Sequence, residues 1–382
     1  MDFELSNRQK QIRLAAREFA EGELTPIGKE CEEKGEFPKD LIKKAAQLGF
    51  IGCFIKKEYG GLGLGLLEHA IILEEFWRAE PGLAQVLAQS AFGSDILLLY
   101  GTEEQKKKYL PPIVKGDWGM GFSITEPEAG SDAASVTSTA VRIGDEYVIN
   151  GNKVMISNGT EAKFILVFCL THPEGTSKSN RHSILLVETD RPGYKADRIH
   201  GKMGLHASDT ANIFFNNVRV PKENLVGVEG NGFLQLMDFL NRSRVIIAAH
   251  AVGLAQGAME QAVNYVKKRK QFGKTIASFQ VTQFKVAEMA TLIESARGLM
   301  HKACWYVDRG TPNSQLSAMA KWWASHVAVR VVDEALQLHG GYGYLDDYPI
   351  ERFYRAAKLL ELYEGTKEIQ KLVIGRHILG VT

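Results

Sequence analysis

The spacing of apolar and polar positions changes twice along the 382 residues. Up to about residue 119, apolar residues recur at helical intervals. Leu5, Ile12, Ala15, Phe19 and Leu24 make one stripe, ending near Pro26. Leu41, Ile42, Ala45 and Leu48 make a second, opening at Pro38. Further helices are predicted over 66–79 and 81–98, with a charged one from Thr102 to Val114. The 81–98 stretch is rich in small residues, which let a neighbouring helix or a ligand come close; Gln85, Gln89, Ser90 and Asp95 are among its polar members.

From about 118 to 225 the period shortens. Tyr147–Ile149, Phe164–Phe168, Ser183–Val187 and Ile213–Phe215 are short apolar or β-branched runs. Gly144-Asp145, Asn150-Gly151-Asn152 and Asn216-Asn217 read as turns between them, giving a compact antiparallel barrel or sandwich. Thr171 to Arg181 reads as a polar surface loop. Beyond the glycines of 227–232 the helical period returns, over about 234–267, 279–308, 314–338 and 367–378. The long, broadly apolar helices imply burial on several sides, hence subunit contacts. The expected fold is α+β: an N-terminal helical domain (1–119), a middle β domain (120–228) and a C-terminal four-helix bundle (229–382).

A formal net charge of +1 gives no electrostatic case for nucleic acid or an anionic membrane. Cys31, Cys53, Cys169 and Cys304 have neither zinc-ligand nor disulfide-framework spacing, and the histidines show no metal-binding pattern, so no metal is expected. With no signal core and no apolar run of membrane-spanning length, the expectation is a cytoplasmic chain without membrane insertion. The run Glu58 to Gly65 fails GxGxxG, because position 66 is Leu, and reads as a loop between helices.

Chemistry concentrates at Glu364. Leu359, Leu360, Leu362 and Tyr363 lead into it, Gly365 breaks the backbone, and Thr366 can cap the next helix. A carboxylate in apolar surroundings ionises reluctantly and makes a better base near neutrality. Taken alone, Glu364 reads more simply as a solvated carboxylate at a helix start; the rest of the chain turns the reading toward chemistry. Ile124 to Asp132 (ITEPEAGSD) is a hydroxyl-rich turn after a strand. It could grip a heteroaromatic edge or a phosphate, or simply be a capped surface turn.

ITEPEAGSD resembles a signature of the acyl-CoA dehydrogenase family of flavoproteins. So do NGNKVMISNG (Asn150 to Gly159), KMGLHASDTANIFFNNVRVP (Lys202 to Pro221), RKQFGKTIASFQ (Arg269 to Gln280), LQLHGGYGY (Leu336 to Tyr344) and YEGTKEIQ (Tyr363 to Gln370). The six occur in the family's order and the likeness covers nearly the whole chain. It implies FAD as cofactor, an acyl-CoA substrate, electron-transfer flavoprotein as electron partner and a homotetramer. Phe122, Ile124 and Thr125 match contacts to the flavin ring, and Ser157 a hydroxyl beside it. Ser131 matches a hydroxyl on the pyrophosphate or the acyl-CoA chain. Arg269 and Phe272 match residues holding the adenine end of a neighbouring subunit's FAD. Gln280, closing that motif, is placed with them; Gln337 and Gly341 match contacts to the same FAD, and Thr366 a hydroxyl near its phosphates. Asn241 and Arg244 match the CoA tunnel, with Tyr363 and Gly365 flanking Glu364 on the substrate side.

Glu364 matches the family's base, which removes a proton alpha to the thioester while the beta carbon gives hydride to the flavin. The position that carries the base in some relatives is Ser243 here. Met155 stands where the family usually has a Trp against the flavin. Ala356 replaces a usual Asp, and Leu83 stands where glutaryl-specific relatives have an Arg. The alternatives are an enoyl-CoA reductase, a dehydrogenase of alicyclic or aryl acyl-CoA, a flavin oxidase, and an inactive acyl-CoA-binding subunit.

Overall fold

The computed structural model describes residues 4–172 and 180–381, so most of the expected 171–181 loop lies outside the described residues. The N-terminal helices are α1 (Asn7–Phe19), α2 (Gly28–Lys34), α3 (Lys39–Gln47), α4 (Leu66–Ala79), α5 (Pro81–Gln89), α6 (Ser94–Tyr100) and α7 (Glu103–Val114). A widened π turn, Ala20–Leu24, extends α1. Ser6 caps α1 and Thr102 caps α7 through reciprocal bonds to Gln9 and Gln105. The expected stripe holds at Phe19 and Leu24, both buried, and differs at one position: Ala16 is buried and Ala15 exposed.

The expected single helix over 81–98 is two helices. Ser90 to Gly93 interrupt it, with Gly93 at φ 99° in the left-handed region that favours glycine. This corrects a second expectation, because Pro81–Tyr100 is long and apolar enough by composition to cross a membrane. Its residues are mostly buried inside the protein, which accounts for the apolarity without a bilayer.

The strands are β1 (Gly119–Ser123), β2 (Thr139–Ile143), β3 (Glu146–Ser157), β4 (Ala162–Leu170), β5 (His182–Glu188), β6 (Tyr194–Arg198), β7 (Thr210–Pro221) and the short β8 (Leu225–Val226). They form one sheet in the order β6-β7-β3-β2-β4-β5-β8, with β1 beside β4. The sheet is mixed rather than antiparallel throughout: β1 and β2 both pair parallel to β4. Gly144-Asp145 is a hairpin turn, but Asn150–Asn152 and Asn216-Asn217 are not. They face each other inside the long β3–β7 pair as a bulge, where the register slips between Ile149 and Gly151. Asn217 donates its backbone N–H to Asn150 Oδ1 at 2.8 Å, which fixes that bulge.

β4 shows how the domains join. Phe164, Leu166 and Phe168 face the helices, while Ile165, Val167 and Cys169 face the sheet's own core. Both faces are buried, so the run is continuously apolar.

The C-terminal helices are α8 (Gly232–Lys268), α9 (Gln280–Asp308), α10 (Ser314–His339), α11 (Ile350–Leu362) and α12 (Lys367–Leu379), with a small hairpin, β9 (Lys270–Gln271) and β10 (Lys274–Thr275), after α8. The apolar lead-in to Glu364 is thus itself a helix, α11, beyond the four expected. Helix α8 packs on α10 and, from the other side, on α4. There Gly253 and Gly257 meet the backbone of α4. A Cβ at Gly253 would sit 2.2 Å from Glu74 O, and one at Gly257 2.0 Å from Arg78 O. The two helices therefore cross in backbone contact, and the N- and C-terminal helices share one core.

Candidate active site

Glu364 follows the end of α11 and precedes α12, which Thr366 caps by accepting from Ile369 N–H at 3.4 Å. Its own backbone is left-handed, φ 54°, and Gly365 is at φ 87°. A non-glycine residue held there stores roughly 1–2 kcal/mol of strain. Two buried side chains hold the turn. Lys321, on α10, donates to Gly365 O at 2.7 Å, and Gln370 donates to Gly365 O at 2.8 Å and Glu364 O at 3.1 Å.

The Glu364 carboxylate turns toward α8. Ser243 Oγ donates to Oε2 at 2.6 Å, while Oε1 makes no hydrogen bond among the described residues. The position matching the alternative base in some relatives thus touches the carboxylate that is present. Burial raises the Glu364 pKa; the Ser243 bond and the nearby Arg244 and Lys321 charges work against that rise without cancelling it. Arg244 is buried, and its Nε has no hydrogen-bond partner among the described residues. Burial brings the Lys321 ammonium down to about 8. The next residue, Tyr363, meets His250 Nδ1 at 3.1 Å through its hydroxyl, and Trp77 stacks on His250 at 4.7 Å.

Ser243 also lines a narrow cavity between α4, α5, α6 and α8. Its walls are largely apolar, with Phe54, Phe76, Phe92 and Phe239 among them. Of the polar residues expected on 81–98, Asp95 alone lines it. Gln89 donates to Asn158 Oδ1 at 2.7 Å, Ser90 to Val86 O at 2.9 Å, and Gln85 is buried elsewhere. Leu83 is a core residue outside the cavity wall, and Ala356 is buried. Asn241 lies on α8 beside this site, its carbonyl accepting from Ser317 at 2.8 Å.

One turn before Ser243, Phe239 packs edge-on against Phe122 at 5.3 Å. This brings the end of β1 and the Ile124–Asp132 turn against the same helix. Lys153, fully buried, ties that turn from below through Ile124 O at 2.8 Å and Glu126 Oε1 at 2.9 Å. The hydroxyls of Thr125, Ser131 and Ser157 make no hydrogen bond within the described residues. Met155 is 71% exposed at φ 59°, so its side chain is open at that face. Free hydroxyls on this tied-down turn (Thr125, Ser131), with a further hydroxyl and an open thioether on β3 (Ser157, Met155), fit one end of a flavin.

A second cleft lies at the far end of α8, lined by Arg269, Gln337, Gly341 and Tyr342. The Arg269 guanidinium sits over the Tyr342 ring at 5.3 Å. Phe272, at φ 51°, is 92% exposed, and Gln280 opens α9 on the surface. Some 26 positions separate Ser243 from Arg269 along α8, roughly 40 Å at 1.5 Å per residue. The expected residues therefore fall into two groups. Asn241, Arg244, Tyr363, Gly365 and Thr366 flank Ser243 and Glu364 along the chain, Phe122 reaches α8 through Phe239, and Ile124, Thr125, Ser131, Met155 and Ser157 belong to the turn after β1 and to β3. Arg269, Phe272, Gln280, Gln337 and Gly341 lie at the other end of α8. Lys321, Gln370, His250 and Arg242 escaped the sequence reading, because each lies inside a helical period and nothing local marks it.

The acyl-CoA dehydrogenase N-terminal, middle and C-terminal domain models match residues 6–117, 121–218 and 230–379. The chain is 43% identical over 381 residues to an acryloyl-CoA reductase (NADH) of Anaerotignum propionicum, covering 99% of this chain and 96% of that protein. It is similar to a chain solved in work on the electron transferring flavoprotein of Acidaminococcus fermentans, with TM-score 0.96, 42% identity and coverage of 99% and 100%. It is also similar to butyryl-CoA dehydrogenase from Megasphaera elsdenii, with TM-score 0.95, 38% identity and coverage of 99% and 100%.

Proposed function

Because the chain belongs to the acyl-CoA dehydrogenase family of FAD-dependent oxidoreductases, we propose that it interconverts a saturated acyl-CoA and its trans-2-enoyl-CoA, with Glu364 as the base. One observation carries this reading: a buried, left-handed Glu364 with one oxygen held by Ser243 and the other unpaired. The unpaired Oε1 is the atom that takes the alpha proton. The N–H of Glu364 also has no partner among the described residues. It is free to donate to the thioester oxygen as enolate charge develops. What bound FAD supplies is two-electron acceptance of the hydride leaving the beta carbon. Thr125, Ser131 and Ser157 would hold it at the flavin end, while Arg244 and Lys321 keep enough carboxylate present for proton removal. Glu364→Gln should retain the yellow flavin and acyl-CoA binding yet lose flavin reduction by roughly 10²–10⁴-fold. Full reduction in that variant would remove Glu364 from the role.

The separation of the two residue groups along α8 supports an oligomer in which Arg269, Phe272, Gln280, Gln337 and Gly341 serve a neighbouring subunit's FAD; a homotetramer is our reading. The likeness to a chain solved with an electron transferring flavoprotein supports that class of protein as the electron partner. A second reading runs the same chemistry toward reduction, with Glu364 delivering the alpha proton, as the name of the acryloyl-CoA reductase relative suggests. Comparing flavin reduction by saturated thioesters with reoxidation by their enoyl partners decides between them. A colourless protein that binds acyl-CoA would instead support an inactive binding subunit.

A further inference from the structure

The cavity beside Glu364 is lined by two opposite charges that do not meet: the Asp95 carboxylate, held by its own backbone N–H at the start of α6, and the Arg242 guanidinium. No ion pair joins them among the described residues. Arg242 Nε is buried with no hydrogen-bond partner among the described residues. Two other carboxylates that share its field are engaged. Asp238 accepts from Tyr100 Oη at 2.8 Å, and Asp308 accepts the Leu66 and Leu67 N–H groups at 2.5 and 3.1 Å as the cap of α4. Burial lifts the Asp95 carboxyl to about 6, against the pull of Arg242. Leaving a buried donor such as Arg242 Nε unmatched is unfavourable. A chain selecting only for hydrocarbon would fill this place with leucine or methionine.

We propose that the cavity selects an acyl group bearing a hydroxyl, which donates to Asp95 and accepts from Arg242. This rests on the acyl-CoA reading above and names its substrate class. A carboxylate in that position would face Asp95, and an ammonium would face Arg242; a methyl would leave both unmatched. A hydroxyl is the small neutral group that serves both at once. The surrounding phenylalanines offer apolar contact to the carbon skeleton that carries the hydroxyl.

Matched pairs of thioesters test this by anaerobic flavin reduction of the holoenzyme. The pairs are 6-hydroxyhexanoyl- and hexanoyl-CoA, 4-hydroxycyclohexanecarboxyl- and cyclohexanecarboxyl-CoA, and 3-(4-hydroxyphenyl)- and 3-phenylpropanoyl-CoA. At least one hydroxylated member should exceed its partner in kcat/KM by roughly tenfold or more. In Asp95→Leu that ratio should fall to one or below, and in the near-isosteric Asp95→Asn, which guards against misfolding, it should shrink. Suppose instead that the unsubstituted thioesters reduce the flavin as fast as their hydroxylated partners. Then water fills the gap and the inference fails, while the dehydrogenase reading stands. If no thioester reduces the flavin and no enoyl-CoA reoxidises it, the reading fails and takes the inference with it.

Discussion

Two lysines, both buried, are used in opposite ways. Lys153 in the sheet domain is fully matched: its ammonium donates to Phe168 O at 2.7 Å, Ile124 O at 2.8 Å and Glu126 Oε1 at 2.9 Å. Glu126 is in turn held by Thr137 N at 2.6 Å, Thr137 Oγ1 at 2.9 Å and Ser138 N at 3.0 Å. Burial opposes the Glu126 charge, but Lys153 and these donors win and hold its carboxyl down to about 2. Burial also works against the ammonium, yet three acceptors in contact keep the pair ionised. Lys321, beside Glu364, has one protein acceptor and no ion pair among the described residues. The first arrangement fixes a turn; the second leaves charge and bonding capacity unspent where a substrate would complete them. Fully matched polar networks rigidify, whereas partly matched ones are where function concentrates.

The sharpest break in that comparison is Lys153→Met. It strands the Glu126 carboxylate in the sheet domain, and removing one partner of a buried pair costs roughly 3–5 kcal/mol. Thermal unfolding should shift down by many degrees, and the residual folded protein should hold flavin poorly. The pair also sets an acid limit. Because the folded Glu126 pKa lies below its ordinary 4.5, its contribution is complete above about 4.5 and is lost as pH falls toward about 2. Lys321→Met should behave differently, with a smaller cost in stability, since Gln370 still holds the Gly365 carbonyl. Its effect should appear in the pH profile. Without the facing cation the Glu364 pKa climbs further, and flavin reduction at neutral pH drops about tenfold, per unit of pKa, recovering at higher pH. A loss that is equal at every pH would make Lys321 merely structural.

The same contrast explains what could be read without coordinates. The changes of period were legible because core faces need regular spacing over many residues. Glu364 was legible because a glycine, a cap and an apolar lead-in cluster around it. The break at Gly93 was not, since Ser90 to Ser94 carry no proline and the apolar run continues through them. Nor were the bulged asparagines: Asn150-Gly151 has the composition of a hairpin turn, and only the pairing of β3 with β7 makes it a bulge. Lys321 and Arg242 were hidden for a deeper reason. A lysine or arginine in a long helix normally faces water, and nothing in the sequence says which of them the fold turns inward.

Ser243→Ala is the gentlest probe of the less matched region. It deletes one donor, at 2.6 Å, and leaves the cavity wall and the turn in place. The bond favours the ionised carboxylate, so its loss should raise the Glu364 pKa further. Only the carboxylate accepts the alpha proton, so flavin reduction rises with pH through that pKa. In the variant the rising limb should therefore move to higher pH, with the plateau rate changed only a few-fold. In stability the sign runs the other way. Below its ordinary 4.5 the carboxyl is neutral whether the chain is folded or not, and the neutral form favoured by burial contributes fully. That contribution is lost as pH rises through the elevated folded value, and the variant loses more of it. A pH–rate profile that stays in place, with a lowered plateau, would show Ser243 orienting the carboxylate rather than tuning its charge.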